Sequence, residues 1–397
     1  MTTSATSVPR LRLYRGPAVL SNGFRPFFLL GAVYAGIAVL AWLPMFLGEL
    51  TLSTAFSPRD WHVHEMLYGY LPAIITGFLF TAIPNWTGRL PIQGMPLLAL
   101  VLVWMLGRLA VTFSAGIGWF VAMMIDISFL ALITAVTGRE IFVGSNWRNL
   151  KVVLLVALLL AGNIAFHLEV GFTGEANYGI RAGIAVVVLL IVLIGGRIIP
   201  SFTRNWLARE NPGRLPSSFA RFDIAIVILS AAALFVWAIQ QDGFLNGILF
   251  ALVGILHIVR LGRWAGNRAF RERLVLILHI GYAFIPFGFL LGAASAFNIV
   301  PAGAGTHAWM AGAAGVMTLA VMTRASLGHT NQPLTASLST QGIYVAVVAA
   351  ALARICAVVA PAWSSQLLHL ATFAWAFAFL GFAVCFGPAL LSETKRR

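Results

Sequence analysis

Charged residues are scarce in this chain of 397 residues, of which only 10% are Asp, Glu, Lys or Arg. A soluble globular domain carries about 25% of such residues. Hydrophobic residues make up 60% of the chain, and the mean hydropathy is +0.91. This composition excludes a water-soluble domain and a disordered chain, and it indicates an integral membrane protein.

Cysteine is almost absent as well. Cys356 and Cys385 each lie in an apolar run, at depths that we predict to be on opposite sides of the membrane. We therefore expect no disulfide and interpret both as small apolar side chains. The chain also lacks the cysteine spacing of an iron–sulfur site, a c-type haem attachment, a Walker loop and a dinucleotide fingerprint. Any haem is therefore predicted to be bound non-covalently, and no nucleotide site is expected.

Long apolar runs are what the chain has instead. A helix needs about 20 apolar residues to cross a membrane, and twelve such runs follow one another with short linkers. The sequence predicts an all-α polytopic membrane protein with an N-terminal segment (1–23), one transmembrane domain (24–391) and a basic tail (392–397). The predicted spans are 24–47, 59–84, 95–113, 115–137, 151–168, 177–199, 221–240, 243–262, 272–297, 304–326, 337–359 and 365–391.

Basic residues are distributed unevenly between the two predicted sides of the membrane. All but four lie on the side of the N-terminus, and the four exceptions are Arg59, Arg108, Arg181 and Arg354. Because cytoplasmic loops carry the excess of Lys and Arg, we place both termini in the cytoplasm, and in a bacterium the opposite face is the periplasmic one. The net charge of +14 is spread over these loops, so we predict membrane lipids and no nucleic acid as partners.

A weak internal repeat is visible at the ends of three spans. Residues 83–89 (IPNWTGR), 199–204 (IPSFTR) and 321–324 (VMTR) end the second, sixth and tenth spans. This spacing favours three four-helix units, as in other polytopic proteins that are built from repeats. The alternative is a chance similarity among helix-ending signals.

Most histidines of this chain lie within, or at the mouth of, the apolar runs. An ionisable ring in hydrocarbon is costly and therefore a functional candidate, and imidazole is the commonest metal-ligating side chain. At a rise of 1.5 Å per residue, the predicted spans place the histidines in two layers about 15–25 Å apart. The periplasmic layer holds His62, His64, His167, His307 and His369, and the cytoplasmic layer holds His257, His279 and His329.

His64 and His307 lie at equal predicted depth on the parallel second and tenth spans. This arrangement suits the two axial imidazoles of a haem. His62 is a further candidate metal ligand, but it lies about 200° from His64 around a regular helix. Glu65 is the predicted catalytic residue. Its side chain could orient an imidazole, bind the metal directly or relay protons, and the sequence leaves these three roles open.

Other polar residues in the spans give weaker signals. His257 and His279, from adjacent antiparallel spans, are candidates for one metal site, or for a hydrogen-bonded core pair. His329 is a candidate ligand at the surface, where the alternative is a solvated side chain. We expect Arg108 and Asp126, on neighbouring spans, to form an ion pair, which is the usual way to tolerate intramembrane charge.

These motifs resemble those of the NnrS family. Members of that family are bacterial inner-membrane proteins that contain haem and copper and are linked to the nitric oxide response. The resemblance covers nearly the whole chain. It rests on residues 23–29 (GFRPFFL), 61–66 (WHVHEM), 84–89 (PNWTGR), 196–203 (GRIIPSFT), 278–282 (LHIGY) and the stretch 307–330.

The resemblance implies haem b and copper as cofactors and nitric oxide as the ligand. We predict haem ligation by His64 and His307, with Arg324 as a candidate for holding the haem propionates or, alternatively, for anchoring its span. The expected activity is nitric oxide reduction or detoxification, with quinol as the simplest electron donor. Two alternatives remain open. One is a non-catalytic sink or sensor for nitric oxide, haem or copper, and the other is a transporter of metal, haem or an anion.

Overall fold

The computed structural model describes residues 14–241 and 243–393, which form helices joined by short loops and contain no strand. Most of the predicted N-terminal segment and basic tail, residues 1–13 and 394–397, lies outside the described residues. Within the described part, twelve helices are long and apolar enough to cross a membrane, which confirms the predicted number. They are α1 Phe24–Phe46, α2 Pro58–Thr87, α3 Met95–Thr112, α4 Trp119–Val143, α5 Trp147–Thr173, α6 Tyr178–Glu210, α7 Arg221–Ile239, α8 Phe244–Arg268, α9 Arg273–Ala296, α10 Gly303–His329, α11 Leu338–Val359 and α12 Pro361–Leu391.

Observed boundaries differ from the predicted ones mainly where polar residues or glycine intervene. Helix α6 continues to Glu210, beyond the predicted end at residue 199, because Arg204 and Arg209 are exposed and arginine favours helix. Helix α4 begins at Trp119 rather than at residue 115. Gly118 has a φ of +87° there and separates α4 from the short helix Ser114–Ile117.

Helices that follow one another in sequence pack side by side, and α1 closes the bundle against α12. At this closure the Arg25 guanidinium donates to the carbonyl oxygens of Leu390 (2.9 Å) and Ser392 (2.7 Å) at the end of α12. The last carbonyls of a helix have no partner within it, so Arg25 satisfies groups that would otherwise be unpaired. Helices α2, α6 and α10 contact one another in the middle of the bundle.

Two of these central helices change their winding at the same relative position. Helix α2 is π-helical over Glu65–Tyr70, and α10 is π-helical over Ala308–Ala314. A π segment is rare and often occurs at functional sites, because it shifts the direction of the side chains that flank it. Here each segment begins directly after a histidine, His64 in α2 and His307 in α10.

Helices α9 and α10 approach each other at the level of their backbones. A Cβ atom at Gly305 would lie 2.8 Å from the carbonyl oxygen of Gly288 and 2.9 Å from the amide nitrogen of Gly292. Small residues permit this close packing between membrane helices. This contact holds the first turn of α10 against α9 at Gly305, two residues before His307.

Candidate functional site

An apolar cavity of about 130 Å³ lies between α2 and α10 and is bordered by α1, α6, α11 and α12. Apolar and aromatic side chains form most of its wall, including those of Trp42, Tyr70 and Trp375. Three side chains carrying basic nitrogen atoms line it as well. They are His62, His307 and Arg354.

His62 is held against the cavity by an aromatic stack. Its ring lies 4.1 Å from the ring of Trp42, centroid to centroid, at an interplanar angle of 25°. Its Nδ1 atom is buried and has no hydrogen-bond partner within the described residues. Buried polar atoms are almost always paired, so an unpaired imidazole nitrogen at a cavity indicates a ligand position.

His307 lines the same cavity from the opposite helix, at the end of the first α-helical turn of α10. No hydrogen bond to its ring occurs in residues 14–241 and 243–393. A π segment begins immediately after His307 and changes the direction of the side chains that follow it. Two imidazoles from distant parts of the chain therefore share one apolar space.

Arg354, on α11, supplies the positive charge of the cavity. Its guanidinium carbon lies 5.7 Å from the centroid of the Trp42 ring. No carboxylate of the described part of the chain forms an ion pair with it, and the cavity wall contains no acidic residue. A partly buried arginine without a carboxylate makes this cavity favourable for negative charge.

A second group of buried polar side chains, the charged cluster, consists of His64, Glu65, Arg108, Asp126 and His167. Arg108 donates to both carboxylate oxygens of Glu65, at 2.7 and 2.8 Å, and it also bonds Asp126. The predicted pairing of Arg108 with Asp126 is confirmed. Glu65 shares the same guanidinium, so one cation stabilises two buried carboxylates.

His64 has hydrogen-bonding partners at both ring nitrogens. Its Nδ1 lies 2.8 Å from Glu65 Oε1, and its Nε2 lies 3.1 Å from Asn163 Oδ1 and 3.2 Å from Asp126 Oδ2. His167 Nε2 lies 3.0 Å from the same Asp126 oxygen. One ligand atom each from His64, Asp126 and His167 lies within 4.8 Å of the others, close enough for a metal ion. In the described residues both ring nitrogens of His64 and Nε2 of His167 have hydrogen-bonding partners, whereas Nδ1 of His167 has none.

The partner of His307 at the cavity is therefore His62, whereas the sequence predicted His64. The two histidines are two residues apart in the α-helical entry of α2, Pro58–His64. A helix turns by about 200° over two residues, so they face opposite directions. His62 faces the cavity, and His64 faces the charged cluster.

The chain matches the family model described as NnrS protein over residues 18–393. This chain belongs to the NnrS family. The match extends over all twelve long helices of the described residues and confirms the family resemblance seen in the sequence. No curated protein and no solved structure matches the chain.

In this NnrS-family chain, His257 and His279 have separate hydrogen-bonding partners. His257 Nε2 lies 2.9 Å from Ser230 Oγ, and its Nδ1 lies 3.0 Å from Tyr282 Oη. His279 Nε2 lies 2.9 Å from Thr203 Oγ1. Both nitrogens of His257 thus have hydrogen-bonding partners, and these partners differ from the partner of His279.

Arg324 and His329 lie at the other end of α10 from His307. Seventeen residues separate Arg324 from His307, which corresponds to about 25 Å along the helix. The Arg324 guanidinium packs on Phe202 instead, 4.1 Å from its ring centroid. His329 is exposed, and its ring lies 5.4 Å from that of Phe24. Neither residue lines the cavity, so Arg354, not Arg324, is the arginine beside the paired histidines.

Several residues at the site were missed by the sequence reasoning. Arg354 was noted only as an exception to the distribution of basic residues, and that exception was the available signal. Asn163, Met66 and Met310 gave no signal, because single amide and thioether residues are common in apolar helices. Their positions become informative only when the helices are assembled.

Proposed function

We propose that this NnrS-family protein binds a redox-active metal between His62 and His307 and that nitric oxide binds and is reduced at this centre. The observation that carries the proposal is the convergence of two imidazoles on one apolar cavity, where Nδ1 of His62 is buried and unpaired within the described residues. Neutral imidazole is a good ligand for copper and iron. The proposal replaces His64 by His62 and keeps His307.

The size of the cavity favours copper over haem b. Its volume of about 130 Å³ is close to that of the ~150 Å³ engineered cavity that holds benzene. A metal ion with a diatomic ligand fits such a space, whereas a macrocycle of four pyrrole rings does not. We therefore assign copper to this cavity.

Copper would bind nitric oxide and exchange single electrons with it. The protein would supply the ligands and the apolar surroundings. Nitric oxide is small and apolar, so it reaches an apolar cavity from the lipid without a polar entrance. Trp42 keeps the His62 ring in place, and the apolar wall keeps water out. The positive charge of Arg354 favours the build-up of negative charge on a ligand that is being reduced.

Glu65 acts as a positioning residue in this proposal. It lies outside the cavity wall and bonds Arg108 and His64 at the first residue of the π segment of α2. These bonds hold the helical turn of α2 that runs from His62 to Met66. Glu65 thereby keeps the His62 side chain directed toward the cavity and does not react with the substrate itself.

The overall reaction balances as two nitric oxide molecules, two electrons and two protons giving nitrous oxide and water. With no nucleotide-binding motif in the sequence, quinol is the proposed donor of both electrons. The excess of basic residues on one side favours both termini in the cytoplasm, and membership of the NnrS family supports a bacterial inner membrane. Nitric oxide and quinol would then both arrive from within the bilayer.

Anaerobic nitric oxide consumption by proteoliposomes with a quinol analogue tests this function. We expect sustained consumption over many equivalents, nitrous oxide as product, and loss of both in the His62→Ala variant. Consumption that stops after one equivalent per chain would overturn turnover in favour of a sink or sensor. No consumption, together with uptake of metal, haem or an anion into the vesicles, would identify a transporter.

A further inference from the structure

Two thioether side chains line the cavity beside the paired histidines. Met66 lies four residues after His62 on α2, and Met310 lies three residues after His307 on α10. Both methionines lie in the π segments that follow the histidines, and each histidine and its methionine border the same space. The cavity thus receives one imidazole and one thioether from each of two helices.

This donor set is selective for a particular class of metal. Thioether sulfur is a soft ligand that selects copper(I), whereas magnesium, calcium and manganese prefer carboxylate and carbonyl oxygen. Among the residues that the structure describes, none of those in the cavity wall is acidic. Two neutral imidazoles and two neutral thioethers bring no negative charge, so a univalent ion suits this set better than a divalent one.

We propose that Met66 and Met310 complete, with His62 and His307, a copper(I) site of two imidazoles and two thioethers. This inference rests on the proposed function, because it assumes that the paired histidines hold a metal. It adds the two sulfur ligands and the preferred oxidation state. It also gives a reason for the spacing of histidine and methionine on both helices.

Arg354 strengthens the preference for the reduced ion. It lines the same cavity, and no carboxylate in the described residues forms an ion pair with it. The charge of Arg354 opposes any metal cation in the cavity, but the repulsion is twice as large for copper(II) as for copper(I), because the Coulomb energy is proportional to the charge. Arg354 therefore raises the reduction potential of the site, as a soft thioether ligand also does.

X-ray absorption at the copper edge, combined with anaerobic copper(I) titration against a competing chelator, tests this site on the full chain in detergent. We expect one copper(I) per chain with both nitrogen and sulfur scatterers. The double variant Met66→Leu/Met310→Leu is expected to lose the sulfur signal and at least tenfold in copper(I) affinity. Leucine matches methionine in volume, so the packing is largely preserved.

Met322→Leu is the matched control, since Met322 is buried on α10, the helix of Met310, but lies outside the cavity wall. It is expected to keep wild-type affinity and sulfur scattering. Arg354→Gln is expected to keep the sulfur signal while lowering the reduction potential of the bound copper. An unchanged or higher potential in Arg354→Gln would contradict the electrostatic part of the proposal.

Two outcomes separate this inference from the proposed function. If copper binding depends on His62 and His307 but the wild-type spectrum shows nitrogen without sulfur, the thioether site is wrong and the paired-histidine centre stands. If the wild-type protein takes up no copper, or takes it up equally without the two histidines, both proposals fail. The wild-type spectrum decides the sulfur question even if the leucine variants do not fold.

Discussion

At the scale of single residues, the most demanding feature is the charge buried in the charged cluster. Glu65 and Asp126 are fully or almost fully buried, and both depend on the guanidinium of Arg108. Removing one member of a buried ion pair leaves an uncompensated charge and commonly costs about 3–5 kcal/mol. Arg108 therefore serves stability first.

Arg108→Gln is expected to lower the free energy of unfolding by about 3–5 kcal/mol, because it leaves two buried carboxylates without a cation. Thermal unfolding of the purified protein in detergent measures this loss. Arg139→Gln is the control, since the Arg139 side chain is 72% exposed and lies 3.7 Å from Glu140. Equal stability of the two variants would contradict the assigned role of Arg108.

The sequence could predict this pair but not the whole cluster. Two opposite charges on neighbouring spans suggested the contact between Arg108 and Asp126. The predicted pairing of His64 with His307 differs from the geometry of the structure, because equal depth on two helices says nothing about the direction in which each side chain points. The angle of about 200° between His62 and His64 was available, but the face of α2 that meets α10 was not.

At the scale of helices, the approach of α9 to α10 determines where His307 lies. Gly305 has no room for a side chain, since its Cβ would meet the backbone of Gly288 and Gly292 within 3 Å. The π segment that follows His307 is a second determinant. The π segment has no signal in a single sequence, because it differs from an α-helix only in the register of a few hydrogen bonds.

Gly305→Ala is expected to separate α9 from α10, to lower the melting temperature and to weaken metal binding at His307. Gly342→Ala on α11 is the control, because a Cβ there has nothing within 4 Å. Alanine at an open helical position is expected to be neutral or to stabilise by up to about 1 kcal/mol. Metal content and melting temperature of the two variants provide the measurement. Wild-type metal binding in Gly305→Ala would show that the close approach is not required.

At the scale of the whole molecule, the twelve helices were predictable because hydropathy and length are local properties of the sequence. Their convergence was not, since packing of α2, α6 and α10 depends on contacts between distant segments. The orientation of the bundle in the membrane is a prediction from the distribution of basic residues. It can be tested independently of any metal.

Labelling of single cysteines in intact cells tests that orientation. In a background carrying Cys356→Ala and Cys385→Ala, we expect Glu49→Cys to react with a membrane-impermeant maleimide, because the loop after α1 is predicted to be periplasmic. Ser218→Cys, in the loop between α6 and α7, is expected to react only after permeabilisation. Both positions are exposed. The reverse pattern would invert the proposed topology.

The central claim is that His62 and His307 together hold a metal in the cavity between α2 and α10. The most direct measurement is the copper and haem content per chain of the wild type, His62→Ala and His307→Ala, with His369→Ala as the control outside the cavity wall. We predict one copper per chain in the wild type and the control, and loss of copper in both cavity variants. Copper retained in both cavity variants, or a haem with no copper in the wild type, would contradict the account.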